Sequence, residues 1–420
     1  MFSSLINRPL LKPILLAVAM VGATISGTAS AEVAFTITKD AVRDPGLAIV
    51  PFAGSPQTSQ IISQDLSLTG RFNMARSIPQ QVASSTQMTL PLWQAQQIPY
   101  AAVGRVSGNQ ITYELVEIGT GRLLLSETLS VPAGRMSAAA HLIADKIAVA
   151  LTGSKTDFSG QLLFVTKTGP VTKPVFSLQV GSTDGSGNQI ILESTQPIRS
   201  PVWSPNGRQI AYVSYETGRP FIYLQDVING QRSPLVQLSG TNGAPSFSPD
   251  GRNLLFSSSA TGNFEIYQMN LGSRQINQIT RSRGVDTEPS YAPDGRSFVF
   301  TSDRSGSPQI YSYNLQNGQV NRLSLTGSYN ARASYNKDGT KIALISNYRA
   351  AIMDVASGAI QILGNSAYDE SPSFSPSGDV LVYATKSGNK DIISMVSANG
   401  KTRLNLPGGS TSVRDPAWTP

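Results

Sequence analysis

Cysteine is absent from the 420 residues, histidine occurs once, and charged side chains make up only 14% of the chain. The first absence excludes disulfides and any cysteine-borne lipid tether, so an oxidising compartment must be argued from a targeting signal instead. With no thiolate and one imidazole, a zinc centre would need three or more carboxylates, against zinc's usual nitrogen and sulfur ligands. No G-x-S-x-G elbow, Walker loop or dinucleotide fingerprint occurs. The net charge of +7 comes from scattered residues, not a stripe, which argues against a nucleic-acid partner. Low charge is accompanied by 37 Gly and 26 Pro, a mixture suited to many short strands and turns.

The N-terminus has the grammar of an export signal. Arg8 and Lys12 form a positive segment, Ile14 to Ala23 an apolar one, and Ala29-Ser30-Ala31 a small-residue cleavage site. A signal peptide over residues 1–31, cleaved after Ala31, leaves Glu32 first and lowers the net charge to +5. The apolar stretch is shorter than the roughly 20 residues a membrane span requires. Nothing else in the chain reaches that length, so the mature protein is not expected to span a membrane.

One pattern dominates the remainder: Pro, a small residue, an aromatic, then a turn ending in Gly. It reads PVWSPNG from Pro201, PSFSPDG from Pro245, PSYAPDG from Pro289, ASYNKDG from Ala333 and PSFSPSG from Pro372, and PAWTP from Pro416 closes the sequence. Successive starts are 44, 44, 44, 39 and 44 residues apart, within the propeller range of about 40–45. Each unit holds four strands; in the second copy they are PSFS, NLLFSS, EIYQMN and INQIT. In the joining turn Ser248-Pro249-Asp250-Gly251, Pro presets φ, Asp bonds back to the backbone and Gly accepts positive φ. The second strands are apolar at every other position and at most of those between, which predicts burial between blades. Residues 161–193 look like a second, third and fourth strand without a first, while PAWTP looks like a first strand alone. Joined, they make one composite blade. The expected fold is therefore an all-β six-bladed propeller over residues 158–420, closed by its own C-terminal strand.

Residues 32–152 lack the repeat and read as an α/β domain. EVAFTI and LAIVPF suggest strands, and Ile61, Ile62 and Leu66 a helix with Thr58 or Ser59 as cap and Gly70 at its end. Tyr100–Val106, Gln110–Glu117 and Gly121–Leu129 alternate like strands. From Arg135 a helix carries Met136, Ala139, Ile143, Ile147 and Leu151 on one stripe, and Thr152–Asp157 is the expected linker. His141 falls off that stripe and is expected to be a partly exposed helix residue. Asp184-Gly185-Ser186-Gly187-Asn188 has a trace of calcium-loop chemistry but stands where a hairpin turn belongs.

The segments entering each first strand should surround the channel mouth, opposite the Pro-Asp-Gly turns. They carry Arg199-Ser200, Gly243-Ala244, Thr287-Glu288, Ala331-Arg332, Glu370-Ser371 and Arg414-Asp415, beside Asn242, Asp286, Tyr368 and Asp369. Their chemistry varies from blade to blade, unlike the turn residues the fold requires. That variation suits a specific partner. Trp203 and Trp418 hold regular repeat positions, so they are expected in the core and not as stacking platforms for a sugar.

The chain resembles the TolB family, periplasmic propeller proteins of the Tol-Pal system of Gram-negative bacteria. The resemblance rests on Glu32-Val33, Ile49-Val50-Pro51-Phe52, Ile61-Ile62-x-x-Asp65-Leu66-x-x-x-Gly70-x-Phe72, Pro201-x-Trp203-Ser204-Pro205, Asn242-Gly243-Ala244-Pro245, Thr287-Glu288-Pro289 and Pro416-Ala417-Trp418. It implies a non-enzymatic adaptor without a cofactor, supporting outer-membrane integrity and invagination at cell division. By the same resemblance, Asn242, Gly243, Ala244, Asp286, Thr287 and Glu288, with Arg332 and Glu370 on the rim, belong to a surface for the peptidoglycan-associated lipoprotein Pal. Glu32, Val33, Ala34, Phe35, Thr36, Ile37 and Thr38 match the segment that engages TolA and other inner-membrane Tol components, and some bacteriocins exploit the system. Thr241 stands where the family pattern has histidine. The rival reading is an exported propeller that binds or processes a glycan or peptide, which would need titratable residues converging in the channel.

Overall fold

A computed structural model describes residues 44–406 and 412–420. The export signal and the segment Glu32–Thr38, including the EVAFTI strand, lie outside the described residues. Among those described, no helix is long and apolar enough to cross a membrane.

The N-terminal unit runs β1 (Gly46–Ile49), α1 (Pro56–Leu68), β2 (Asn73–Met74), α2 (Leu90–Gln94), β3 (Tyr100–Ser107), β4 (Gln110–Glu117), β5 (Arg122–Ser130) and α3 (Met136–Thr152). Its sheet has the order β2-β1-β3-β4-β5, with β1 parallel to both neighbours and β3-β4-β5 an antiparallel meander. Leu47, Ile49, Ala102, Ile111 and Leu115 from the sheet meet Ile62, Leu66, Ile143 and Ile147 from α1 and α3 in one core. Pro56 opens α1, where its missing N–H costs nothing, and Ser55 is the capping residue. Thr58 and Ser59 thus lie inside the first turn, where the Ser59 hydroxyl accepts the Phe52 N–H at 3.1 Å. Gly70 follows the helix at φ 66° as anticipated, and a Cβ there would strike the Asn399 side chain.

Six four-stranded sheets follow among the described residues. Blades 1 to 5 have inner strands Ile198–Trp203, Asn242–Phe247, Asp286–Tyr291, Asn330–Tyr335 and Glu370–Phe374. Blade 6 is the composite: Ser412–Trp418 is its inner strand, paired antiparallel with Gln161–Thr168 and followed by Val175–Ser182 and Gln189–Ser194. The six inner strands touch in sequence around a ring, with Ser412–Trp418 between those of blades 5 and 1. The second strands of blades 1 to 4 are buried from their second residue onward, which satisfies their apolar run on both faces. The joining turns form as read: Gly251 N–H donates to Ser248 O at 2.8 Å, and the Ser248 hydroxyl donates to Asp250 at 2.6 Å.

The five residues missing from the fourth unit come largely from the hairpin between its second and third strands. Only Asn347-Tyr348 joins Lys341–Ser346 to Arg349–Asp354, with φ of 47° and 68°, a tight turn of the primed kind.

Antiparallel strands put the first-to-second and third-to-fourth turns of every blade on one face, and the N-terminal unit docks there. Arg71 pairs with Asp379 at 2.5 Å, Asn399 donates to Gly70 O at 2.9 Å, and Lys401 reaches Asp44 at 2.9 Å. Leu68 joins Phe158, Leu162, Val380 and Trp418 in a shared core. Deleting Arg414–Pro420 removes Trp418, whose loss alone costs about 3–5 kcal/mol, and opens the ring. The truncated chain should therefore melt roughly 5 °C or more below the full chain; equal melting temperatures in calorimetry would disprove closure by this strand.

Candidate functional site at the channel mouth

Of the residues singled out at the mouth, Tyr368 and Asp369 lie in the turn that precedes the blade 5 strand. The others fall near the start of the inner strands, and each strand is interrupted there by the same bulge. In blade 2, Gly243 pairs with Ser257 and Ser246 with Leu255, so Ala244 and Pro245 together face one residue. Equivalent register shifts occur in the other five blades. The residue before the repeat Pro takes a left-handed backbone every time: Ser200, Ala244, Glu288, Arg332, Ser371 and Asp415 have φ between 47° and 56°. Proline is tolerated as the second bulge residue because that position stands outside the paired ladder, so its missing N–H removes no ladder hydrogen bond. Blade 4, with Ala333 instead, keeps the geometry.

This bulge sorts neighbouring residues into different jobs. Three positions before the Pro, Asn242, Asp286, Asn330 and Asp369 are buried and fasten the loops behind them. Asn242 donates to Pro220 O and Leu238 O at 3.1 and 2.9 Å and accepts from Ser258. Asp286 accepts from Ser302 at 2.6 Å and pairs with Arg304 at 2.7 Å. Asn242 and Asp286 are thus structural staples under the mouth, not exposed rim groups.

One position before the Pro, the side chains converge instead. Arg332 Nε lies 3.2 Å from Glu288, and its terminal nitrogen donates to the Ser371 hydroxyl at 2.5 Å and lies 3.5 Å from Asp415. The Ser371 hydroxyl donates to Asp415 at 2.6 Å, and Asp415 accepts the Ser200 N–H at 3.2 Å. Thr301 and the Arg332 N–H complete the ligation of Glu288, at 2.9 and 3.0 Å. Five of the six inner strands are joined in this arc; Ala244 of blade 2 adds no polar group. Burial opposes the Arg332 charge, yet Glu288, Asp415 and Glu370 hold its pKa above the ordinary arginine value. Arg199 goes the other way, lowered by burial and by Arg414 beside it.

At the gap, a Cβ added to Gly243 would meet only the Ser257 hydroxyl, at 3.6 Å. Thr287 lines the same spot and donates to that hydroxyl at 3.3 Å. So Gly243, Ala244, Thr287, Glu288, Arg332 and Glu370 are all half-buried on the inner wall, whereas Ala331, next to Arg332, is buried. Sequence reasoning named Tyr368 but missed the Tyr329–Tyr348 part of the aromatic flank. Tyr329 stacks on Tyr348 at 4.7 Å, with Leu325 and Tyr348 exposed, and Lys386 sits 4.7 Å over the exposed Tyr368 ring. The signal was the shortened fourth unit, whose tight hairpin brings Tyr348 against Tyr329.

His141 overturns its expected exposure: it is buried, because α3 is covered by α1 on one side and the blade 6 hairpin on another. Its Nδ1 is 2.6 Å from Asp65, its Nε2 3.3 Å from the Ser137 hydroxyl and 3.4 Å from Asp184. Ser-His-Asp geometry invites the triad reading, and the second carboxylate defeats it. The Ser137 hydroxyl donates to Asp184 at 2.5 Å, and the two acids, against the pull of burial, lift the imidazole to about 10. An imidazolium cannot take a serine proton at neutral pH. Asp184 lies in a hairpin turn, with Ser182 N–H bonded to Ser186 O. Trp203 and Trp418 are buried, their indole N–H groups bonded to Ala417 O and Asp157 O.

Comparison with known proteins covers both parts. The family model described as the TolB beta propeller domain matches residues 149–420, and the TolB amino-terminal domain matches residues 33–124. The Tol-Pal system protein TolB of Acinetobacter baylyi is 52% identical, across 95% of this chain and 96% of that one. Its counterpart from Methylococcus capsulatus is 48% identical, across 94% and 96%. The crystal structure of TolB from Acinetobacter baumannii superposes with a TM-score of 0.82 at 45% identity, covering 90% of this chain and 97% of that one.

The bulge itself is testable. Ala to Gly in a strand ordinarily costs about 0.5–1 kcal/mol, but a left-handed backbone reverses the preference. Ala244→Gly should therefore leave the denaturation midpoint unchanged or raise it, and a drop of the ordinary size would show that this φ is not held in solution.

Proposed function

Because this chain belongs to the TolB family, we propose that it is a non-enzymatic adaptor of the Tol-Pal system, binding Pal at the propeller mouth and TolA or another inner-membrane Tol component through Glu32–Thr38. Residues 1–31 are removed after Ala31, and the mature protein works in the periplasm as a small domain over residues 32–152 followed by the propeller over 158–420. Its role is to support outer-membrane integrity and invagination during division.

The gap in the polar arc carries this reading. Five strands satisfy one another's charges, while blade 2 presents Gly243 and Ala244 beside Thr287 and Glu288. A side chain from a partner can enter there and meet a carboxylate already oriented by Arg332. Asn242 and Asp286 act beneath, by fixing the strands that shape the gap. Arg332 and Glu370 add charge on the inner wall. Tyr329, Tyr348 and Tyr368 extend the surface with the residue type that dominates interface hot spots. Bacteriocins that use the system would compete for this face. The N-terminal segment EVAFTIT is apolar and strand-forming, which suits pairing with a partner by strand addition.

Titration with purified soluble Pal tests the mouth. Glu288→Ala and Thr287→Ala should each weaken binding, with Glu288→Ala losing about tenfold or more, while the melting temperature changes little. Unchanged affinity in both variants would refute the assignment.

A further inference from the structure

The only histidine of the chain lies at a junction that the adaptor role does not explain. Asp65 comes from α1, His141 and Ser137 from α3, and Asp184 from the hairpin between the last two strands of blade 6. Each nitrogen of the imidazole faces a carboxylate, one within the N-terminal unit and one from the propeller. Ser137 ties the propeller carboxylate down with a hydrogen bond of 2.5 Å, and Asp184 also accepts the Ser186 N–H at 2.9 Å. We infer that His141 and Asp184, braced by Ser137 and Asp65, form a charged latch that locks the N-terminal unit onto the composite blade. Asp65 holds the ring orientation and Asp184 is the arm that crosses between the units.

The groups facing the imidazole set when the latch holds. Burial works against the Asp184 charge, but hydrogen bonds from His141, Ser137 and Ser186 keep its carboxyl well below the usual range. Burial pushes Asp65 up to about 6, though His141 pulls the other way; Asp145 and Asp184 add to the rise. His141 holds its proton more tightly folded than unfolded. Its contribution is complete below the ordinary imidazole value and lost as pH rises through about 10. Asp184 contributes above the ordinary carboxyl value and fails only in strong acid. Protonating Asp65 near 6 leaves the His141–Asp184 pair charged, so mild acid does not release the latch. Alkali does.

A single histidine makes the test unambiguous. Imidazole nitrogen resonances of the labelled full chain, followed from about pH 5 to about pH 11, should show a midpoint far above the ordinary imidazole value. Asp184→Asn should lower that midpoint by about one pH unit or more, and Ser137→Ala should lower it less. Amide exchange gives the second reading. In Asp184→Asn the segment Thr69–Arg71, which meets blade 5 elsewhere on the docking face, should exchange several-fold faster. A purely local role at the hairpin would leave it untouched. A midpoint near the ordinary value in the unmodified chain, or unchanged exchange at Thr69–Arg71 in Asp184→Asn, overturns the latch.

Discussion

The pairing of Ser412–Trp418 with Gln161–Thr168 is the contact on which the rest depends. It joins the two ends of the propeller and removes two sheet edges that would otherwise be open to other chains. Because closure entropy grows only slowly with loop length, fetching the strand from the far end of the chain costs little more than fetching it from nearby. What it gains is shared packing. Phe158 meets the Trp418 ring edge-on at 5.9 Å, and the Trp418 indole donates to Asp157 O at 3.1 Å. Asp145 of α3 in turn accepts from Thr156, Phe158 and Ser159, so the linker is fixed from both sides. Ring closure, linker and docking of the N-terminal unit thus occupy one core.

Only a closed ring brings the six bulges together. Their residues are spread from Ser200 to Asp415, yet Arg332 touches groups from blades 3, 5 and 6. A left-handed backbone costs a non-glycine residue on the order of 1–2 kcal/mol. Glycine at these positions would be easier for the backbone and would delete the arc. Keeping side chains there is strain retained for what the side chains do, in the pattern expected of functional positions. Ala244 has the strain without a hydrogen bond, so its conformation follows from the bulge alone.

The propeller was legible because its turns repeat a chemistry that only one backbone shape satisfies: Pro for φ, Asp for the back-bond, Gly for positive φ. The composite blade followed from two fragments that are each incomplete. Legibility ended where side chains from distant segments meet. A residue before proline prefers extended backbone, so nothing in Thr287-Glu288-Pro289 announces that Glu288 turns into the channel while Asp286 is sealed below. Positional variation marked the inner strands but did not separate buried staple from half-buried wall. His141 was misjudged for a related reason. A helical stripe describes one face, and α3 is covered on a second face by the hairpin bearing Asp184, well over thirty residues further along the chain.

The mouth and the docking face lie at opposite ends of the same strands, and one strand reaches both. Ser412–Trp418 places Asp415 in the polar arc at its start and Trp418 beneath Leu68 and Phe158 at its end. Blade 5 repeats the arrangement, with Ser371 in the arc and Asp379 and Asn399 on the N-terminal unit. Closely packed strands transmit displacement better than they absorb it. Asp415 and Ser371 bond to Arg332 and Ser200, so a partner that shifts them acts on blades 1 and 4 through the arc as well as on blades 5 and 6, which carry the contacts to the N-terminal unit. Any coupling between the docked unit and the mouth is reciprocal by linkage: a mouth ligand that loosens docking binds more tightly, by the same factor, when the unit is loose.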